Sequence, residues 1–521
     1  MSAVGSAMSL LRAAFVLSRE GVISLLPAEG LPPPLRLAHR LAGWIARPRA
    51  ADAGERVTLA LNRLGPSFVK LGQFLATRPD IVGRRAAADL ANLQDRMQAF
   101  PAATAREIVS RSLGRPVDQL FSGFPEAVAA ASIAQVHRAI RAADGRPVAV
   151  KVVRPGVRER FRRDLANFRT LAQWAERRFA EARRLRPVEA LAILEQSATV
   201  EMDMRLEAAA LSELRHNIAA DTGFRAPDPD WSLTGRDCLT MEWVEGVKLT
   251  DREALLAAGH DPGRLAANLV QSFLRHTLRD GFFHADLHPG NLFVDAAGDI
   301  VAVDLGITGR LGRKERRFLA EILYGFIKRD YRRVAEVHIE AGYVPARHSV
   351  EAFAQAIRAI GEPIHGQPAD TISMAKLLTL LFEVTELFDM QTRPELILLQ
   401  KTMVVTEGVA RQLDPAFNMW KTAEPVVGEW LARHVGPGGM IEDAVEGLAA
   451  ARTLLRRLPE LAADAEALAA RFRASSGGFP IDPASVEAIG QAEARGNRWS
   501  ATALWLIALI ALFSAYWVFS T

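Results

Sequence analysis

Cysteine is nearly absent. The chain of 521 residues has one, Cys238, so no disulfide can close within it and no cysteine-rich metal site can be built. That usage suits a reducing compartment. An excess of charge of one sign is lacking too: 64 Lys and Arg against 60 Asp and Glu leave a net +4. With neither zinc-finger spacing nor an RNA-binding aromatic motif, nothing in the chain points to nucleic acid. A clean apolar leader is missing, because Arg12 and then Arg19-Glu20 interrupt the stretch from Ala7 to Leu26 and no small-residue cleavage site follows. Charge itself is missing from Trp499 to Phe519, and about 20 apolar residues suffice to cross a bilayer core. Trp499 and Trp505 stand toward one end of that run and Tyr516-Trp517 at the other, as interface aromatics do, and Arg495 and Arg498 precede it. The run reads as a C-terminal transmembrane helix with the preceding domain on the cytoplasmic side. A buried C-terminal core helix is the alternative.

What is present is concentrated between Gly281 and Gly306. His284-Ala285-Asp286-Leu287-His288-Pro289-Gly290-Asn291 puts an acid and an amide five residues apart, on a stretch where Pro289 and Gly290 forbid a helix. Asp304-Leu305-Gly306 follows a short apolar run that reads as a strand. A loop Asp, an Asn five residues on and a strand-end Asp-x-Gly is the layout of a kinase catalytic loop and its metal-binding loop. The residue types suit the chemistry. Mg2+ is a hard cation that takes carboxylate and amide oxygens, which Asp304 and Asn291 supply. Asp286 can accept a proton from a hydroxyl or orient an attacking oxygen. The same loop suits small-molecule phosphotransferases, and acids in such places also serve as turn formers.

Upstream, Val148-Ala149-Val150-Lys151 follows a turn at Asp144-Gly145 and is close to the strand that carries a kinase nucleotide lysine. Where glycines would cover the phosphates, this chain has Ala129-Ala130-Ala131-Ser132-Ile133-Ala134. Alanine resists positive φ, so the loop cannot fold over phosphates in the usual way, and Ser132 or Gln135 are the candidate substitute donors. A helix is expected across Glu201, Asp203 and Glu207, with acids on both sides able to pair Lys151 and Lys70. Cys238 to Val244 reads as a strand running into a turn at Gly246, in the place of a kinase hinge, where backbone groups of Glu242 and Val244 would meet an adenine edge. Lys70 and Gln73 share one face of a helix opened by Gly65-Pro66, in an apolar setting of Phe68, Val69, Leu71 and Phe74. A buried lysine there needs an acidic partner.

The chain is long enough for two or more structural units. We divide it into amphipathic helices broken by Pro32-Pro33-Pro34 (1–62), a helical extension bearing Lys70 and Gln73 (63–125), a kinase-like amino-terminal lobe (126–246), a carboxyl-terminal lobe with a helical extension (247–473), a linker (474–498) and the span (499–519). Most arginines between 157 and 220 read as a solvated helix face. Leu454, Leu455, Leu458, Leu461 and Leu468 form a late apolar stripe. The fold class is α+β: two-lobed and protein-kinase-like, with N-terminal helices, a helical C-terminal extension and a transmembrane helix.

Taken together, Lys70-Leu71-Gly72-Gln73, the Ala129 to His137 loop, Glu201-x-Asp203, Glu207-Ala208, and His284 to Asn291 with Asp304-Leu305-Gly306 resemble the UbiB family of atypical kinase-like proteins, which support ubiquinone biosynthesis. The match runs from about Arg63 to Gly309, with Ile133-Ala134 where the family more often has Ile-Gly. The resemblance implies binding of ATP or ADP with Mg2+ and ATPase rather than protein kinase activity. It implies nucleotide contacts from Ala129, Ala130, Ala131, Ser132, Ile133, Lys151, Glu207, Glu242 and Val244, metal contacts from Asn291 and Asp304, and catalytic roles for Asp286, Lys70 and Gln73. It further implies pairing of Lys70 with Glu201 and Asp203, and of Lys151 with Glu207. Membrane lipid, prenylated quinone precursors and other ubiquinone-biosynthesis proteins are the implied partners, at the inner membrane. A non-catalytic scaffold and a true small-molecule or protein kinase remain alternatives. A 2-polyprenylphenol 6-hydroxylase finds no support: no G-x-G-x-x-G follows an early strand for flavin, and no two-His-one-carboxylate pattern is present for iron.

Overall fold

The computed structural model describes residues 3–23, 33–46, 53–76, 90, 97–178, 186–365, 384, 387–390 and 394–434. The expected linker at 474–498, the span at 499–519 and the stripe from Leu454 to Leu468 lie outside them. Among the described residues no helix is long and apolar enough to cross a membrane. The chain divides into two compact units, Met1–Arg63 with Pro437–Thr521, and Leu64–Gly436.

The first unit contributes α1 (Ala3–Arg19), α2 (Pro33–Ile45) and α3, which runs Ala53–Leu64. The expected break at Pro32-Pro33-Pro34 falls at the start of α2, where Pro33 and Pro34 stand. They open α2, because the first helical turn needs no amide hydrogen from them. Buried Glu20 forms an ion pair with Arg63.

The second unit begins with α4 (Pro66–Ala76), α5 (Ala102–Leu113) and the single turn α6 (Val117–Leu120). An antiparallel sheet follows, in the order β1 (Phe121–Gly123), β3 (Ala134–Arg141), β4 (Pro147–Val153), β6 (Cys238–Glu242), with β2 (Ala129–Ala130) on the outer side of β3. The valines of β4 explain its central place: every residue from Val148 to Val153 is buried, as expected of a strand covered on both faces. Pro147 stands at its first position, where a missing ladder donor is tolerated. Gly145, at φ +71°, makes the turn between β3 and β4. Behind the sheet, α5 packs with Ile108 and Val109 against Phe121, Val148, Val150 and Cys238.

Three helices then run in sequence, α7 (Val157–Arg178), α8 (Pro187–Glu201) and α9 (Met204–Asn217). Val157, Phe161, Leu165 and Phe168 bury one face of α7, while Arg162, Arg163, Arg169, Arg177 and Arg178 are exposed, as the solvated-face reading required. Arg158 and Arg160 depart from it. They bind Asp237 and the Leu64 carbonyl.

The second sheet has the order β5 (Phe224–Arg225), β10 (Ile300–Ala302), β9 (Leu292–Val294), β7 (Val247–Lys248), and β8 (Phe282–His284) pairs antiparallel with β11 (Thr308–Arg310). That last strand interrupts the stretch after Gly306 that the sequence suggested is almost wholly helical. Gly309 is required there, since a Cβ would meet the Phe283 ring at 2.1 Å. Around these lie α10 (Arg252–Ala257), α11 (Pro262–Arg275), α12 (Arg313–Lys328), α13 (Tyr331–Glu340), α14 (Val350–His365), α15 (Pro394–Leu413) and α16 (Met419–His434). The start of α11 is set by Asp261, whose carboxylate accepts from the Gly263 and Arg264 amides, with Pro262 at the first helical position. Leu265, Leu269, Phe273, Phe282, Leu292, Ile300 and Val409 share one apolar core, so the strands that carry the loop acids rest on α11 and α15.

Candidate active site

Lys151 projects from the central strand β4. Its Nζ lies 2.8 and 2.9 Å from Glu207 Oε1 and Oε2, and 2.7 Å from Asp304 Oδ1. Three N–H donors thus meet three carboxylate oxygens. Lys151 and Glu207 are buried, while the Asp304 side chain keeps 43% of its surface exposed. Burial works against the Lys151 charge, but Asp304 and Glu207 outweigh it and hold the ammonium above its ordinary range. Enclosure would raise Asp304, yet Lys151, helped by Lys70, pulls it to about 2. Burial drives Glu207 up to about 7 despite Lys151, and the charges of Asp304 and Glu201 add to the rise. Two carboxylates share one ammonium, and the more buried of them bears the cost of the surplus negative charge.

The expected single helix through Glu201, Asp203 and Glu207 is broken in two. Asp203, at φ −107° and ψ 99°, leaves helical geometry to cap α9, accepting from the Arg205 amide at 3.2 Å. Its carboxylate also binds the Arg205 guanidinium at 2.9 and 2.7 Å. The expected Lys70–Asp203 pairing is therefore corrected: the charges acting on Asp203 are those of Arg205 and Arg236. Glu201, the last residue of α8, does meet Lys70, at 2.5 Å, with both side chains buried. The break is what turns Glu201 toward α4 and Glu207 toward β4. Gln73 lies half-buried one turn after Lys70 on α4.

Asp286 and Asn291 are brought together on the loop after β8. Asn291 Nδ2 donates to the Asp286 carbonyl at 3.1 Å and to Asp286 Oδ2 at 3.4 Å. That commits the amide nitrogen and leaves Oδ1 as the face presented elsewhere. The Pro289–Asn291 segment forms one 3-10 turn, which the sequence reading had excluded. A proline at the first position permits it, and His288 accepts from the Gly290 amide. His284, buried, joins the two loops. The Asp286 amide donates to His284 Nδ1 at 3.1 Å, so the ring proton sits on Nε2, 3.1 Å from the Val303 carbonyl. Burial lowers the His284 pKa and keeps the ring neutral, as an accepting Nδ1 requires. The Val303 amide in turn donates to the Asn291 carbonyl at 2.9 Å. Asp304 follows with φ +63°, a conformation asparagine and aspartate tolerate better than most residues. Neither the His284 link nor that backbone turn was read from the sequence; the spacing of His284 two residues before Asp286 was the available signal.

Ala129 to Ile133 form a tight hairpin between β2 and β3, closed by the Ala131 amide on the Ala134 carbonyl at 2.8 Å. None of these residues has positive φ, which is why alanines serve. Arg154 fixes the turn, its Nε on the Ala131 carbonyl and its amide on the Ile133 carbonyl, both at 2.8 Å. Ser132 is fully buried in the turn. Gln135 is corrected as a phosphate donor. It is buried, it clamps the backbone of Phe100 in both directions at 2.8 and 3.0 Å, and it contacts His137 Nε2 at 2.9 Å. Glu242 ends β6 and Val244 follows in extended chain. The Glu242 amide donates to the Asp228 carbonyl at 2.9 Å, so of that residue's backbone groups only the carbonyl could meet an adenine edge.

Comparison with known proteins bears on this arrangement. The ABC1 atypical kinase-like domain matches residues 92–338, and the UbiB helical domain matches residues 357–418. A probable protein kinase UbiB of Marinobacter nauticus is 40% identical over 462 residues, covering 88% of this chain and 84% of its own. The protein of the same name from Aeromonas hydrophila is 38% identical over 458 residues, covering 87% and 84%. Among solved structures, the Rv3197–erythromycin complex from Mycobacterium tuberculosis aligns over 72% of this chain and 95% of its own, with 23% identity and a TM-score of 0.47. The lysine, acid and amide positions described above fall on a chain that belongs to the UbiB family of atypical kinase-like proteins.

Proposed function

We propose that this protein is a membrane-anchored, kinase-like ATPase that binds ATP or ADP with Mg2+ and supports ubiquinone biosynthesis by helping prenylated quinone precursors reach their enzymes. The observation that carries the reading is the convergence of Lys151, Glu207 and Asp304, with Asp286 and Asn291 tied to the same loop pair through His284. The donor set fits a magnesium ion. Asn291 Oδ1 and the ionised Asp304 carboxylate are hard oxygens, and an ion of this kind takes one or two protein ligands with phosphate oxygens completing the shell. Among the described residues no group of three or more His, Cys, Asp and Glu would hold a metal by itself. Bound Mg2+ would neutralise charge on the phosphates.

The chain's own residues do the rest. Glu207 takes two of the three Lys151 donors, and the third, which lies on Asp304, is the one available to a phosphate. The Asp286 carboxylate orients an attacking oxygen, on a backbone held by His284. Lys70 and its helix, fixed to Glu201 and close enough to act on Asp304, favour water over a bulky protein hydroxyl as the acceptor.

Phosphate release by the full chain, measured against a panel of prenyl-phenol lipids, tests this, with Asp304→Asn and Lys151→Ala as controls. Lipid-stimulated release lost in both variants supports it. Nucleotide binding without release would leave a scaffold, and labelled γ-phosphate on any acceptor but water would make the protein a phosphotransferase. Flavin or iron absorbance in the purified protein would revive the hydroxylase. Membrane fractionation with and without the residues after Asn497 tests the anchor.

A further inference from the structure

Thr402 lies on α15, in the part of the chain that matches the UbiB helical domain. It is 1% exposed, and its hydroxyl lies 2.9 Å from the carbonyl of Ala285, 117 residues away in the chain. The same hydroxyl is 2.8 Å from the Leu398 carbonyl of its own helix, so one proton is shared between the two.

The importance of the Ala285 carbonyl comes from the peptide it belongs to. That carbonyl and the Asp286 amide are the two ends of one planar unit. Thr402 holds the oxygen end, and His284 Nδ1 holds the hydrogen end at 3.1 Å. The Ala285 amide, on the preceding peptide, donates to the Ile307 carbonyl at 3.0 Å. Rotation of the 285–286 peptide would break the bonds at both of its ends at once, and that rotation is what would swing the Asp286 side chain. The clamp draws on three separate parts of the chain: β8, the segment after Asp304, and α15.

We infer that Thr402 is a positioning residue for Asp286, by which the C-terminal helical region sets the orientation of the loop acid. The inference rests on the role proposed above for Asp286. Thr402→Val keeps volume and branching and removes the donor. In the full-length protein it should raise amide hydrogen exchange across Phe282–Asn291 and lower phosphate release by about tenfold, the upper end for a neutral hydrogen bond, with KM for ATP changed less than twofold. Thr402→Ser should restore both. If the valine variant does not fold, Thr402→Ala carries the same readouts. Unchanged exchange in the loop, unchanged turnover, or a serine variant that behaves like valine overturns the inference. Absence of phosphate release in the unsubstituted protein instead sinks the proposed activity, and the exchange comparison then decides the role of Thr402 by itself.

Discussion

Lys151 is where three carboxylate oxygens converge, so its removal leaves Glu207 and Asp304 facing each other without a cation. We expect Lys151→Ala to weaken nucleotide binding by about 10- to 100-fold by calorimetry, since a charge-assisted hydrogen bond contributes ~1.5–3 kcal/mol. Glu207 gives a pH signature. Its carboxyl is raised to about 7 in the folded protein, so between the ordinary carboxylate range and about 7 the folded state holds a proton that the unfolded state has lost. Stability from this group is full at low pH and is lost as pH rises through about 7. Buried histidines such as His276, lowered by burial to about 3, act in the opposite sense, so the useful quantity is a difference. Urea midpoints of the parent and of Glu207→Gln, compared at pH 5 and pH 8, should separate along that slope; parallel pH profiles would refute it. Lys151, Asp286, Asn291 and Asp304 stood out by spacing, and the fold links them through the Lys151–Asp304 contact and His284. The Asp203 partner did not stand out. A carboxylate directly ahead of a helical run serves equally as a cap or as an ion-pair partner, and local backbone geometry chooses between them.

Elements place these residues through their ends more than their middles. The cap at Asp203 starts α9 and thereby aims Glu207 at β4. Asp203→Ala should lower stability by about 1 kcal/mol in urea titration, with nucleotide affinity within about twofold. The link between α4 and α8 behaves differently. Lys70 and Glu201 keep only 10% and 8% of their side-chain surface, so removing the lysine leaves Glu201 a buried carboxylate without its cation. Lys70→Met alone should cost about 3–5 kcal/mol, and Lys70→Met with Glu201→Leu should recover a large part of that loss. Equal destabilisation in the single and double variants would show that the pair is not the tie between the two helices. The alanine hairpin makes the same point from the other side. Composition alone told that it could not be a glycine-type phosphate loop, but the bonds that hold its turn come from Arg154, 23 residues on from Ala131 and brought beside it by the β3–β4 pairing.

At the scale of the molecule, Arg225 connects the two sheets. Its Nε binds Asp295 at 2.7 Å in the turn of the β9–β10 hairpin, and its Nη1 binds Glu242 at 3.0 and 3.2 Å at the end of β6. The rigid fork of the guanidinium meets the two acids from different nitrogens, Nε and Nη1, a spread that a single ammonium nitrogen does not reproduce. Arg225→Lys should therefore raise KM for nucleotide severalfold at nearly constant kcat, and its partly exposed pairs should change stability by no more than about 1 kcal/mol; an unchanged KM would count against a tie between the sheets. The family and the kinase-like α+β fold were legible in the sequence alone, since hydrogen-bonding character, proline and glycine placement and short spacings act within a few residues of one another. The tertiary structure alone decided which acid meets which lysine, that Gln135 faces Phe100, and that Thr402 reaches Ala285. Those outcomes depend on burial and on directions set by packing between segments 35 to 153 residues apart, and desolvation has no value until the fold has closed around the group.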